Sequence, residues 1–166
     1  MNVIKTIVLV AILTLGFTSV QAQTKVAHIN TEALVALMPA TKTLQAKLEK
    51  IGKTYDDEMK TKEAELKAKF EKYNAEFESQ TEATNAQRTK EVQMDAQKIE
   101  QFKAEAMRDL QKQEQDGLKP ILESAQAAID AVATEQGFDY VLNVATLVVA
   151  KGKDLLPDVK AKLGIL

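Results

Sequence analysis

Residues 53–116 read KTYDDEMKTKEAELKAKFEKYNAEFESQTEATNAQRTKEVQMDAQKIEQFKAEAMRDLQKQEQD, a run of 64 residues with neither glycine nor proline. These two residues are the strongest helix breakers, and the whole chain of 166 residues holds only 6 glycines and 3 prolines. Charged residues make up 28% of the chain. A charge-rich run of this length without breakers predicts long helices, whereas an all-β sandwich would need many more turn residues.

Large apolar residues recur through the first half of the helical region with the spacing of a coiled-coil seam. The successive spacings are 4, 3, 4, 4, 7, 4, 3 and 4, a heptad pattern with one four-residue insertion. We expect most of these side chains to pack between helices. The series consists of Leu44, Leu48, Ile51, Tyr55, Met59, Leu66, Phe70, Tyr73 and Phe77.

A polar break separates the two halves of the helical region. Residues 79–85 read SQTEATN, which contains no large apolar residue and offers several N-cap residues. This break predicts the tip of an antiparallel helical hairpin, placed near residues 79–87. The alternative is one uninterrupted helix, because the break lacks glycine. The hairpin is favoured because it brings the β-type segments on either side of the helical region back together.

Those β-type segments are residues 25–30, 138–143 and 145–150. We expect them to form a three-stranded sheet, buried on both faces and covered by a helix within residues 154–163. So small a sheet is marginal in water on its own, so we expect the chain to oligomerise through the sheet, which with its covering helix forms a small body. The candidate residues of the body and its subunit contacts are Val26, Ile29, Val141, Leu142, Leu147 and Val148.

Local signals predict how the remaining helices begin and end. A short helix over residues 32–38 would be capped by Thr31 and ended by Pro39. Thr41 or Thr43 would cap the long helix that follows. Gly137 is a good C-cap for the last part of the helical region.

Residues 1–22 have the pattern of a secretory signal peptide. Lys5 precedes an apolar run over residues 7–17, and Val20 and Ala22 place small residues at the −3 and −1 positions. We expect cleavage after Ala22 and export of the remaining chain, which in a Gram-negative bacterium would place it in the periplasm. The alternative is an uncleaved N-terminal anchor helix.

Composition excludes several kinds of chemistry. The chain has no cysteine, which excludes disulfides, thiolate zinc sites and thiol nucleophiles. The only histidine, His28, lies in the first β-type segment and suits a structural or interface role better than that of a general base. Ser79 and Ser124 lack a nucleophile-elbow context, and no glycine-rich phosphate loop is present. We therefore expect no catalytic residue, no metal and no cofactor, and the pI of about 5.6 disfavours nucleic acid as a partner.

The order of these features resembles the Skp/OmpH family of periplasmic chaperones for outer-membrane proteins. The resemblance covers the whole chain and depends on order and spacing more than on any one motif. Its motifs are KVAHIN at 25–30, LMP at 37–39, KPIL at 119–122, AIDAVA at 128–133 and GFDYVL at 137–142.

The resemblance implies a mainly α protein with a small β body (α+β), assembled as a homotrimer. Residues 23–41 and 119–166 would form the oligomerisation body, and residues 42–118 would form a long antiparallel coiled-coil hairpin that projects from it. The resemblance further implies that unfolded outer-membrane β-barrel proteins are held in a cavity between three hairpins, without nucleotide. A structural coiled-coil protein of the cell envelope is the alternative function.

Isolated apolar residues among the hairpin charges are the candidate contacts for such clients: Met59, Phe77, Met94, Phe102 and Met107. Packing between the helices is the competing role. Pro120 is a candidate hinge at the root of the hairpin. The hairpin departs from the strongly basic members of the family, because residues 42–118 carry 15 basic and 17 acidic side chains. Contact with a membrane surface is therefore in doubt.

Overall fold

The structure is a computed structural model that describes residues 24–165, so the predicted signal peptide lies outside the described residues. Three short strands and four helices follow one another, with two single 3₁₀ turns between them. In chain order the elements are β1 (Val26–Ile29), α1 (Thr31–Leu37), α2 (Pro39–Ala75), a 3₁₀ turn (Phe77–Ser79), α3 (Glu82–Gln136), β2 (Tyr140–Asn143), a 3₁₀ turn (Val144–Thr146), β3 (Lys153–Asp154) and α4 (Leu156–Lys162).

The two long helices form the predicted antiparallel hairpin. At 1.5 Å per residue, α2 with 37 residues is about 55 Å long and α3 with 55 residues is about 80 Å long. The chain reverses over residues 76–81, so the predicted tip region of 79–87 also includes the first turn of α3. Within the hairpin α3 is continuous, and it runs through Pro120 into the body.

Side-chain hydrogen bonds take the place of glycine at the tip. The Thr81 hydroxyl oxygen accepts from the backbone N–H of Thr84 at 3.2 Å and caps α3. The Asn85 amide donates to the Phe77 carbonyl oxygen at 3.0 Å and ties the turn to the new helix. These polar capping bonds therefore allow a turn without glycine to close the hairpin.

The sheet differs from the predicted one in its third strand. Its order is β2-β1-β3, with β1 in the centre and both neighbours parallel to it. The strand predicted at residues 145–150 is wrong. The Asn143 side chain accepts from the Ala145 N–H and the Thr146 hydroxyl donates to the Asn143 carbonyl, which turns the chain out of the sheet. The third strand is Lys153–Asp154, which reaches the far edge of β1 and can therefore pair in parallel.

One face of the sheet packs into the body core. Ala27 and Ile29 point into that core, where Leu34 of α1 and Leu155 and Val159 at the C-terminal end are fully buried. The body end of α3 supplies the rest of the core through Ile121, Ala125, Ala128, Ile129 and Val132. The sheet was predicted to be buried on both faces, but within one chain only one face is buried.

Two predicted helix caps are also wrong. The Asn30 side chain, not Thr31, accepts from the Ala33 N–H at 2.9 Å and caps α1. Neither Thr41 nor Thr43 caps α2, because the helix already begins at Pro39, and proline suits the first position of a helix. Gly137 does end α3, with a left-handed φ of 68°.

Between residues 24 and 165 no helix is long and apolar enough to cross a membrane.

The two helical glycines provide a matched test of this packing. A Cβ on Gly117 would lie 2.3 Å from Cδ1 of Leu44 on α2, whereas a Cβ on Gly52 would meet nothing within 4 Å. We expect Gly117→Ala to lower the free energy of unfolding by about 1 kcal/mol, because overpacking outweighs the gain in helix propensity. We expect Gly52→Ala to raise it by about 0.5–1 kcal/mol. Urea denaturation of both variants measures the difference, and equal effects would contradict this packing at Gly117.

Candidate functional site

The outer half of the hairpin carries an apolar groove on one side. We call it the tip groove and define it by Leu66, Phe70, Phe77, Val92, Ala96 and Ile99. It consists of two open clefts of about 390 and 450 Å³ that share Phe70 and Val92 and are therefore continuous. Phe70 and Phe77 are 57% and 55% exposed as whole residues. The groove thus presents large apolar surface to solvent on an otherwise charged hairpin.

The opposite side of the same hairpin segment is charged. Lys69 of α2 forms an ion pair with Asp95 of α3, and Lys98 binds the same carboxylate at 2.9 Å. Lys62 lines the cleft on this side, and its ammonium lies 5.0 Å from the Phe102 ring centroid. The hairpin therefore has one apolar and one ion-paired side, separated by the seam residues Leu66 and Ile99.

The ion pair of Lys69 explains why Phe70 is exposed. Phe70 was expected to pack in the seam, and that expectation is wrong. Lys69 takes the position between the helices because it reaches Asp95, and its neighbour Phe70 then points about 100° away around the helix. The sequence signal for this arrangement is the opposite charge of Lys69 and Asp95 on facing helices, which the apolar periodicity alone does not reveal.

Polar contacts between the helices recur along the hairpin. The Tyr55 hydroxyl donates to Asp109 Oδ2 at 2.8 Å, and the Tyr73 hydroxyl donates to Glu91 Oε2 at 2.7 Å. Near the tip, Arg88 Nη2 binds Glu76 Oε2 at 2.6 Å. Together with Lys69 and Asp95, these contacts hold the two helices at a fixed register.

Aromatic contacts support two of these polar links. The rings of Tyr55 and Phe102 meet edge to face, with centroids 5.9 Å apart and an interplanar angle of 77°. The Arg88 guanidinium lies 4.5 Å from the Tyr73 ring centroid. Tyr73 is therefore fixed both at its face and at its hydroxyl, and it forms the inner wall of the tip groove.

The polar links shift the acidity of the carboxyl groups they involve. The hydrogen bond from Tyr73, with a second from Gln87, holds the pKa of Glu91 below its ordinary value. In the same way, the bonds from Tyr55 and then Gln113 lower the pKa of Asp109. Because the pKa values of Glu91 and Asp109 are lower in the folded chain, the ionised carboxylates stabilise the fold above about pH 4. This stabilisation is lost as the pH falls through their folded pKa values.

The five predicted client contacts occupy different positions. Phe77 lines the tip groove, whereas Phe102 is half-buried against Tyr55 and Met59 is half-buried. Met94 and Met107 are 48% and 65% exposed but line neither cleft of the groove. The structure therefore brings only one of these five residues into the groove.

The second apolar surface lies on the body, on the side of the sheet away from the core. Val26 pairs with Tyr140 and His28 with Leu142, and the apolar residues of these pairs are exposed. Val148 and Val149, in the loop before β3, are exposed as well, and Val148 is fully exposed. Of the other predicted body residues, Ile29 is in the core, and Val141 and Leu147 are half-buried.

His28 has a structural setting. Its Nε2 lies 3.0 Å from the Gly152 carbonyl oxygen, and this bond links β1 to the loop before β3. Its Nδ1 is buried and has no hydrogen-bond partner among the described residues. Within residues 24–165, no group of three or more histidine, aspartate or glutamate side chains is arranged to hold a metal ion.

Removing one tyrosine hydroxyl at a time tests the polar links. We expect Tyr73→Phe to raise the pKa of Glu91 toward its ordinary value, because the first hydrogen-bond donor is lost. We expect Tyr55→Phe to raise the pKa of Asp109 instead and to leave that of Glu91 unchanged. Carboxyl ¹³C titrations by NMR measure both values, and each variant serves as the control for the other. Unchanged pKa values in both variants would show that the links do not form in solution.

Comparisons with known proteins agree with this architecture. The protein family described as outer membrane protein (OmpH-like) matches residues 25–163. A solved structure from Caulobacter crescentus CB15, described as an OmpH-like outer membrane chaperone, is similar with a TM-score of 0.76. The two chains are 18% identical, and the match covers 89% of this chain and 88% of that one. A search of curated proteins gives no match. The family match spans nearly all of the chain, which confirms the resemblance, and the protein belongs to the OmpH-like family.

Proposed function

We propose that this protein is an ATP-independent holdase chaperone that binds unfolded outer-membrane proteins in the periplasm and prevents their aggregation. The observation that carries the proposal is the surface of the hairpin, where large apolar side chains are exposed on a rigid, charged pair of helices. Clients would lie in a cavity between the hairpins of a homotrimer. No catalytic residue or cofactor is part of the proposal.

The hairpin suits the binding of many different unfolded chains. Its exposed apolar residues, among them Phe70, Phe77, Met94 and Met107, are distributed along the hairpin and are separated by charges. Each contact is weak, but several contacts on neighbouring hairpins raise the overall affinity through high effective concentration. The charged residues between them keep the hairpins themselves soluble.

The exposed face of the sheet supports the proposed trimer. Val26, Tyr140 and Leu142 leave apolar surface exposed on two neighbouring strands of the three-stranded sheet that the described residues form. Apolar surface of this kind is typical of protein interfaces. We propose that copies of the chain associate through this face, which would give the sheet the second buried side that the sequence predicts.

The proposed compartment follows from the predicted signal peptide together with the family. Residues 1–22 would direct export, with cleavage after Ala22. The nearly balanced charge of residues 42–118 gives the hairpin no strong attraction to anionic lipid, so contact with the membrane surface is not part of the proposal.

Aggregation of a diluted client tests the chaperone function. We expect the purified protein, without ATP, to suppress the light scattering of an outer-membrane β-barrel diluted from urea, because its apolar surface competes with association between client chains. A soluble coiled-coil protein of equal concentration is the control. Failure to suppress scattering would favour the alternative of a structural envelope protein.

Substitution on the sheet face tests the trimer. We expect Leu142→Lys to reduce the mass measured by light scattering from three chains toward one, because a charge would be buried at the subunit contact. Met107→Lys is the matched control, since it adds the same charge on an exposed apolar position of the hairpin. A wild-type mass for Leu142→Lys would show that the chains associate elsewhere.

A further inference from the structure

We infer that the tip groove is a binding site for an extended client segment whose alternate side chains are apolar and include aromatic rings. The inference rests on the proposed function and adds to it one defined site and one pattern of client sequence. It assigns Phe70 and Phe77 as the residues that select this pattern.

The length of the groove suits a short strand. From Leu66 to Phe77 the helix advances 11 residues, or about 16 Å at 1.5 Å per residue. An extended chain covers that distance with about five residues at 3.3 Å each, so three alternate side chains can face the groove.

The groove can cover a bound segment on one side only, because the side opposite the two helices is open to solvent. A segment bound there can keep polar side chains in water while its apolar side chains are covered. Strands of outer-membrane barrels alternate apolar and polar residues with a period of two and carry aromatic residues where they meet the membrane surface. This class of client therefore offers the one-sided apolar segment that the groove can cover.

The charges around the groove give no reason to expect an anionic segment. Arg88, which lines the tip end, is bound to Glu76 and stacked on Tyr73. Lys67, which lines the other end, lies 3.9 Å from Glu71. Both cations already have acidic neighbours, and Glu63 and Glu100 also line the groove, so the lining does not call for an anionic ligand. The exposed rings of Phe70 and Phe77 are then the main source of affinity.

Three labelled peptides of one composition, built from Phe, Val, Thr, Ser and Gln, test the inference. In the first, apolar and polar residues alternate; in the second, apolar residues follow helical spacing; in the third, they form one block. We expect the full-length protein to bind the alternating peptide at least tenfold more tightly than either of the others, measured by fluorescence anisotropy. Equal or tighter binding of the helical or block peptide would overturn the inferred pattern.

Substitutions inside and outside the tip groove test whether the alternating peptide binds there. We expect Phe70→Ala and Phe77→Ala each to weaken binding of the alternating peptide about tenfold. Leu122→Ala is the matched control, because Leu122 is 52% exposed on α3 but lies at the body end of that helix, outside the groove, and it should leave binding unchanged. Circular dichroism confirms that each variant is as helical as the wild type. Equal losses in all three variants, or no loss in the phenylalanine variants, would overturn the inference.

The aggregation assay separates this inference from the proposed function. If the wild-type protein suppresses aggregation but the groove variants bind the alternating peptide normally, the groove assignment is wrong and the holdase function stands. If the wild-type protein does not suppress aggregation, the proposed function itself is wrong.

Discussion

The architecture depends on the parallel pairing of β1 with β2. Lys25 donates its backbone N–H to the Asp139 side chain, 114 residues later in the chain, and the register continues from Val26 opposite Tyr140 to Ile29 opposite Asn143. A strand of four residues has little stability of its own, so this pairing requires the intervening chain to return to its starting point. The long helical segment must therefore fold as a hairpin, and its two roots must lie beside the same sheet.

The hairpin is stabilised in two different ways along its length. At its root, Leu44 packs against Gly117 and joins the apolar core of the body. Farther out, the contacts between the helices include polar links such as Tyr55 with Asp109 and Lys69 with Asp95. Polar links fix the register without burying much apolar surface. As a result, aromatic side chains in the outer half remain available to other molecules.

Much of this fold could be predicted from the sequence, because long-range periodicity and the absence of breakers are strong signals. The hairpin, the α+β class and the C-cap at Gly137 all followed from them. The strand predicted at residues 145–150 failed because β propensity says nothing about which edge of β1 remains to be paired. The chain needs its 3₁₀ turn and loop to reach that edge, and only two residues then form the strand.

The candidate site was harder to predict than the fold. Apolar spacing placed Phe70 in the seam, but the seam position next to it is occupied by the charged residue Lys69. A pattern that counts only apolar residues cannot detect this exchange, because the stabilising partner, Asp95, lies 26 residues away on the other helix. Phe77 was predicted as a contact because it is an isolated apolar residue among the hairpin charges, and the structure places it in the tip groove.

The unbroken course of α3 has a mechanical consequence. This helix begins at the tip with Glu82 and ends at Gln136, and only residues 137–139 separate it from the edge strand β2. The part of α3 that projects from the body, residues 82–118, is a continuous helix about 55 Å long. A sideways force applied to the outer hairpin therefore becomes a torque at the sheet, and the short strand pairing there sets how far the arm can swing before the body deforms.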